Sequence, residues 1–251
     1  SLMNRESVMT ESIYTQTRNQ LLACPRIIAS VEHYATNSLY DLISKYKDEI
    51  EDDYNSASDL APYWWNYPPD DRGRQPRGDQ VPWIEVGEHA VGDNLLSHIN
   101  ELGTVKFPGI PAGPDIRYTV SSSDIADMSD NLIQGYWSMT DVKSVGPRDN
   151  YEHTVMSHNQ VSGDGNWDSN LGGIVNNIMT ANGKRTSHPF HCSLPPLYIL
   201  KNGSAMLTVT LFIKPIYGMS ETGTFYQRLS EIKIGCIPNG LLLSGNDGYL
   251  S

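Results

Sequence analysis

"YWSMTDVKSVGPRD", residues 136 to 149, begins as an apolar and aromatic run and ends on a Gly-Pro turn. The run reads as a β-strand, and alternation then puts Asp141 and Lys143 on one face while Val142 points into a core. Opposite charges side by side at a strand end have two explanations. They form a surface ion pair of marginal worth, or they begin a site.

Other β-type runs surround this one: "TVKF" (104–107), "IRYTV" (116–120), "PLYIL" (196–200), "AMLTVTLFIKPIYG" (205–218) and "SEIKIGCIP" (230–238). Lys201-Asn202-Gly203 fits a hairpin turn between two of them. From Glu6 to about Glu51 apolar residues recur at helical spacing: Val8 and Ile13, Leu21 and Leu22, Ile27, Ile28 and Val31, then Leu39, Leu42 and Ile43. Pro25 divides this region into two helices. "KDEIEDDYNSASD" (47–59) reads as the solvated exit of the second. The Pro- and Gly-rich stretch 60–82 is expected to be an ordered loop. After Pro82, Ile84, Val91, Leu95, Leu96 and Ile99 form a helical stripe that also carries Glu85 and Glu88 one turn apart. The expected class is α/β, a central mixed β-sheet flanked by helices.

At 251 residues and 39% hydrophobic content the chain can fill a substantial core. Its apolar runs all fall short of the roughly 20 residues that cross a bilayer, so a soluble protein with no membrane partner is expected. Ser1-Leu2-Met3 lacks the basic flank and apolar stretch of a signal peptide and reads as a cloning remnant before an initiator Met3. Cys24, Cys192 and Cys236 are widely spaced, which fits free thiols in a reducing cytoplasm. With 18 basic and 29 acidic side chains the net charge is -11, which argues against a general polyanion binder. Contact with nucleic acid would then need a local cationic surface.

Upstream of the quoted strand, "GPDIRY" sets Asp115 directly after Gly113-Pro114, a rigid turn that fixes the direction of the carboxylate. Two aspartates at neighbouring strand ends can share a divalent cation. Phosphodiester hydrolysis at neutral pH requires neutralised phosphate charge, an activated water and a stabilised leaving oxygen. Carboxylates holding Mg²⁺ meet these needs, and Mg²⁺ prefers oxygen ligands at about 2.1 Å. A lysine beside the metal orients the water and stabilises developing negative charge.

The wording around these residues narrows the reading. "NYPPDDRGRQPRGDQVPWIEVGEHAVG" (66–92), "GPDIRY" (113–118), "DVKSVGPRD" (141–149), "NQVSG" with "GNW" (159–167), "PPLYIL" (195–200), "LFIKPIYGM" (211–219) and "PNGL" (238–241) run in order through nearly the whole chain. Together they resemble the BglI-type type II restriction endonucleases of the PD-(D/E)XK nuclease superfamily, with Pro114-Asp115 as the "PD". The resemblance implies a restriction-endonuclease-like fold in a single domain over 1–251: N-terminal helices over 1–59, the loop over 60–82 and a catalytic core over 83–251. It implies that Asp115 and Asp141 hold Mg²⁺ together with the backbone carbonyl of Val142. Lys143 becomes the catalytic lysine and Glu88 the helix acid, with Glu85 as second candidate.

By the same resemblance the protein is a homodimer that cuts double-stranded DNA at an interrupted palindrome such as GCCNNNNNGGC, paired in its host with a cognate DNA methyltransferase. In the family the chain continues past "PNGL" into a basic DNA-recognition segment. This chain stops at "NDGYLS", so that segment is either absent from the protein or lies beyond this stretch of sequence, and the recognition sequence stays open. Candidates for DNA contact are Arg148, Lys184, Arg185, Arg72, Arg74 and Arg77. Two rival readings remain: a same-fold nuclease of relaxed specificity, and a non-catalytic DNA-binding or partner-binding protein that retains the fold.

Other motifs read blandly. "SHPFHC" (187–192) lacks the second ligand pair of a structural zinc site. Trp64, Trp65 and Trp83 sit in a Pro-rich setting that favours packing over base stacking. "NQVSGDGNWD" (159–168) is either a phosphate-binding loop or an ordinary turn-rich connection.

Overall fold

The computed structural model describes residues 2–60, 63, 66–71, 83–106, 114–125, 132–146, 152, 154, 156–182, 187–220 and 223–243. Three helices lead: α1 (Leu2–Ala23), α2 (Pro25–Lys45) and α3 (Lys47–Asp59). Pro25 opens α2 in its first turn, where the missing N–H leaves no bond unmade. α2 buries Ile28, Val31, Ala35, Leu39 and Leu42 along one stripe.

A second break, at Tyr46, makes three helices of the expected two. The stretch read as a solvated exit is α3 itself. Its acids mostly face outward, yet Ile50, Tyr54 and Ser58, each four apart, are buried. α3 packs against α4 (Trp83–His98), which continues as a 3-10 turn over Ile99–Glu101 and buries Val91, Leu95 and Ile99. Most of the expected loop over 60–82 lies outside the described residues.

The strands follow: β1 (Thr104–Val105), β2 (Ile116–Ser121), β3 (Gly135–Val142), β4 (Asn166–Asp168), β5 (Gly173–Val175), β6 (Met179–Asn182), β7 (Ser187–Phe190), β8 (Leu197–Ile199), β9 (Ala205–Ser220) and β10 (Gly223–Ile237). A short helix, α5 (Gly240–Leu243), comes after them. The main sheet has the order β1-β2-β3-β9-β10, with β8 pairing one end of β9. Its β3–β9 ladder is parallel and its other ladders are antiparallel, so the sheet is mixed as expected. β4–β5 and β6–β7 are two small separate hairpins. The turn between β8 and β9 is the predicted one, with Gly203 at φ +84° and Leu200 N–H donating to Ser204 O.

Alternation gives this sheet two different faces. Ile116, Tyr118, Val120, Tyr136, Val142, Val209, Leu211 and Ile213 join the helices in one buried cluster. Arg117, Met139, Asp141, Phe212 and Lys214 are carried on the other face. α2 is tied to the end of β10 by a buried carboxylate. Glu32 accepts hydrogen bonds from Cys236 Sγ (3.3 Å) and Asn239 N (3.1 Å), and burial pushes its carboxyl up to about 7. Asn239 Nδ2 in turn donates to the carbonyls of Pro196 and Thr208, each at 2.8 Å. Among the described residues no helix is long and apolar enough to cross a membrane.

Candidate active site

β2 and β3 run antiparallel with Ile116 opposite Thr140, so the residue before β2 comes abreast of the end of β3. That residue is Asp115, exposed and preceded by a buried Pro114. Its Oδ2 accepts a hydrogen bond from Val142 N at 2.7 Å, which clamps the carboxylate to the strand end. Asp141 is only 5% exposed. Burial pushes its carboxyl up to about 6; the Lys143 ammonium pulls it down, and the charge of Asp115 pushes it further up. The two aspartates are therefore close enough to repel each other. Such repulsion is what a shared cation relieves.

Lys143 reaches back along the same face, its Nζ 2.6 Å from Asp141 Oδ2. Asp141 Oδ2 is buried, and that ammonium is the counter-charge beside it. A carboxylate oxygen is also a hard donor to a divalent cation. Val142 adds to it through its backbone. Lys143 N donates to Ile213 O at 2.7 Å, so the groups of β3 that bond β9 belong to residues on either side of Val142. The N–H of Val142 points the opposite way, to Asp115, and the carbonyl of a strand residue leaves on the same side as its N–H. Two carboxylates and one carbonyl, all hard oxygen donors, fit Mg²⁺.

Glu88 is placed differently. α4 lies on the buried face of the sheet, where a Cβ built on Gly92 would stand 4.0 Å from Val142 Cγ2. Glu88 is one turn before Gly92 and half-buried. Among the described residues no three of the acidic, histidine and cysteine side chains gather as a metal site. The side chain of Glu85 lies outside the described residues, as do Arg72, Arg74, Arg77, Arg148, Lys184 and Arg185.

A neighbour was missed by the sequence reading. The parallel ladder continues past Val142, with Lys143 N bonded to Ile213 O and Val145 N to Pro215 O, which sets Lys143 abreast of Lys214 on β9. The signal was the alternation in "FIK", where Phe212 and Lys214 share a face and Ile213 takes the other.

Comparison with known proteins bears on this geometry. A family model described as restriction endonuclease BglI matches residues 9–251. The type II restriction enzyme BglI of Bacillus subtilis is 44% identical over 251 residues, covering 98% of this chain and 83% of that protein. A crystal structure of the restriction endonuclease BglI bound to its DNA recognition sequence superposes with a TM-score of 0.86, covering 97% of this chain and 83% of that one. A match this long, on a fold whose strand ends bring two aspartates and a lysine together, places the chain in the BglI family of type II restriction endonucleases.

Proposed function

We propose that this type II restriction endonuclease uses Mg²⁺, held by Asp115, Asp141 and the Val142 carbonyl, to hydrolyse phosphodiesters of double-stranded DNA. The observation that supports it best is the buried Asp141 carboxylate beside both Asp115 and Lys143. Bound there, Mg²⁺ supplies neutralisation of phosphate charge and a more acidic water. Asp115 is fixed in direction by Val142 N–H and needs no reorganisation to bind. Asp141 would hold the metal together with Asp115, in place of the counter-charge that Lys143 supplies. Lys143, a quarter exposed, is then released to hold the attacking water and to stabilise charge growing on the phosphate. Glu88 enters this reading by family resemblance alone.

The finer assignments belong to the same proposal. Residues 1–251 act as one catalytic unit, with helices over 1–59, a loop over 60–82 and the catalytic core over 83–251. The enzyme works as a cytoplasmic homodimer on an interrupted palindrome resembling GCCNNNNNGGC, protected in its host by a methyltransferase of matching specificity. The relative of known structure is bound to its recognition sequence, which supports DNA as the substrate here.

Digestion of a mapped plasmid with Mg²⁺, followed by sequencing of the ends, tests it. Discrete fragments with one end sequence are expected. A smear would show relaxed specificity, and DNA retention in Ca²⁺ without cutting in Mg²⁺ would show a binding protein instead.

A further inference from the structure

Across the open face of the sheet the charges change in a fixed order. Asp115 precedes β2, Asp141 and Lys143 belong to the end of β3, Lys214 is abreast of Lys143 on β9, and Lys233 is paired with Lys214 on β10. Register partners point to the same side of a sheet, so the three lysines stand in one line perpendicular to the strands. With about 4.8 Å between strands, the line leads from the carboxylates to a backbone roughly 10 Å away. It is a cationic row on a chain whose net charge is -11.

The row is built rather than scattered. Lys214 is only 4% exposed, and its Nζ lies over the Phe212 ring, 6.0 Å from the centroid. The end of the Phe212 ring reaches Gly235, where a Cβ would come within 2.1 Å of its Cζ, so the glycine on β10 makes room for the ring beside the lysine. Burial lowers the pKa of Lys214, and the neighbouring charge of Lys233 lowers it further. Lys233 is exposed beside Lys214, and two ammonium groups near each other raise the local potential. An anion arriving beside them lowers that potential.

Resting on the endonuclease reading above, we infer that Lys214 and Lys233 continue Lys143 into a track that holds DNA backbone phosphates next to the one being cut. Lys143 serves the reacting phosphate, and the other two serve its neighbours along the strand. Contacts of this kind carry no sequence information and fix the position of the duplex over the metal ligands. They also give an acidic protein its local cationic purchase on DNA.

Salt dependence of binding to a linear duplex of mixed sequence, measured in Ca²⁺ without cleavage, tests the inference for the parent, Lys233→Gln, Lys214→Met and Lys214→Arg. Each lost phosphate contact should reduce the slope of log affinity against log salt by about 0.9. Lys233→Gln and Lys214→Met should each show that reduction and weaken binding severalfold, while Lys214→Arg restores the slope. Melting curves separate the alternative: if Lys214 is merely structural, Lys214→Met melts lower and its salt slope equals that of the parent. Unchanged slopes in both neutral variants, with a parent that binds and cuts, overturn the track alone. A parent that neither binds nor cuts overturns the endonuclease reading with it.

Discussion

Asp141 is held where a carboxylate is least comfortable: covered and beside a second carboxylate. Its pKa in the folded protein stands above the ordinary value, so ionisation removes stability as pH rises through about 6. Asn at this position cannot ionise. Asp141→Asn is therefore expected to melt no lower than the parent at pH 8 while cutting no DNA, the trade expected of a strained catalytic group. A marked fall in melting temperature would instead make Asp141 a structural residue. For Lys143→Ala, single-turnover cleavage should slow by about 10²–10³-fold, the usual loss when a charge-stabilising group is removed. Binding in Ca²⁺ should weaken only severalfold; equal losses in both would remove Lys143 from the chemistry. The opposed charges at 141 and 143 were legible in sequence because strand alternation alone puts them on one side. The face of Lys214 was legible from the alternation in "FIK", but its place beside Lys143 was not, since that depends on which strand pairs with β3.

Among the elements, α3 shows how composition can mislead. Its acids suggested a wet surface, but Ile50, Tyr54 and Ser58 recur every fourth residue and settle against α4 and β10. Acidic residues and helix formation are compatible when one stripe is apolar. Tyr54 is fully buried and its hydroxyl has no hydrogen-bond partner among the described residues. Tyr54→Phe should therefore raise stability, by about 1 kcal/mol, because it removes an unsatisfied polar group without opening a cavity. Tyr54→Ala should cost about 3–5 kcal/mol. Denaturant melts of the two variants distinguish burial from hydrogen bonding as the role of this side chain. The large strands were readable from their branched and aromatic runs. The hairpins β4–β5 and β6–β7 were not, being three or four residues long and set among Asn and Gly, where tertiary contacts such as the Tyr14 hydroxyl donating to Gly165 O decide the conformation.

For the whole molecule, Glu32 joins distant parts of the chain: α2, the last turn of β10 and, through Asn239, the start of β9's ladder. Its carboxyl is raised to about 7 by burial, so the link is most secure when protonated and weakens as pH climbs through neutrality. Glu32→Gln keeps an accepting oxygen and cannot ionise. Melting temperatures of the parent should fall more between pH 5 and pH 8 than those of the variant. Identical profiles would place the pH dependence elsewhere. Nothing in the helical spacing around Glu32 announces this buried acid, because its partners lie some two hundred positions away.

The parallel pairing of β3 with β9 has a corollary for folding. The strand bearing Asp141 and Lys143 gains its second neighbour only after residues 205–220 have been synthesised. Until then one side of β3 has no ladder partner, and the strand end that carries Asp141 cannot take up its final geometry. The geometry of the site is thus set by a contact between segments far apart in sequence, which makes closing that ladder a slow step of folding.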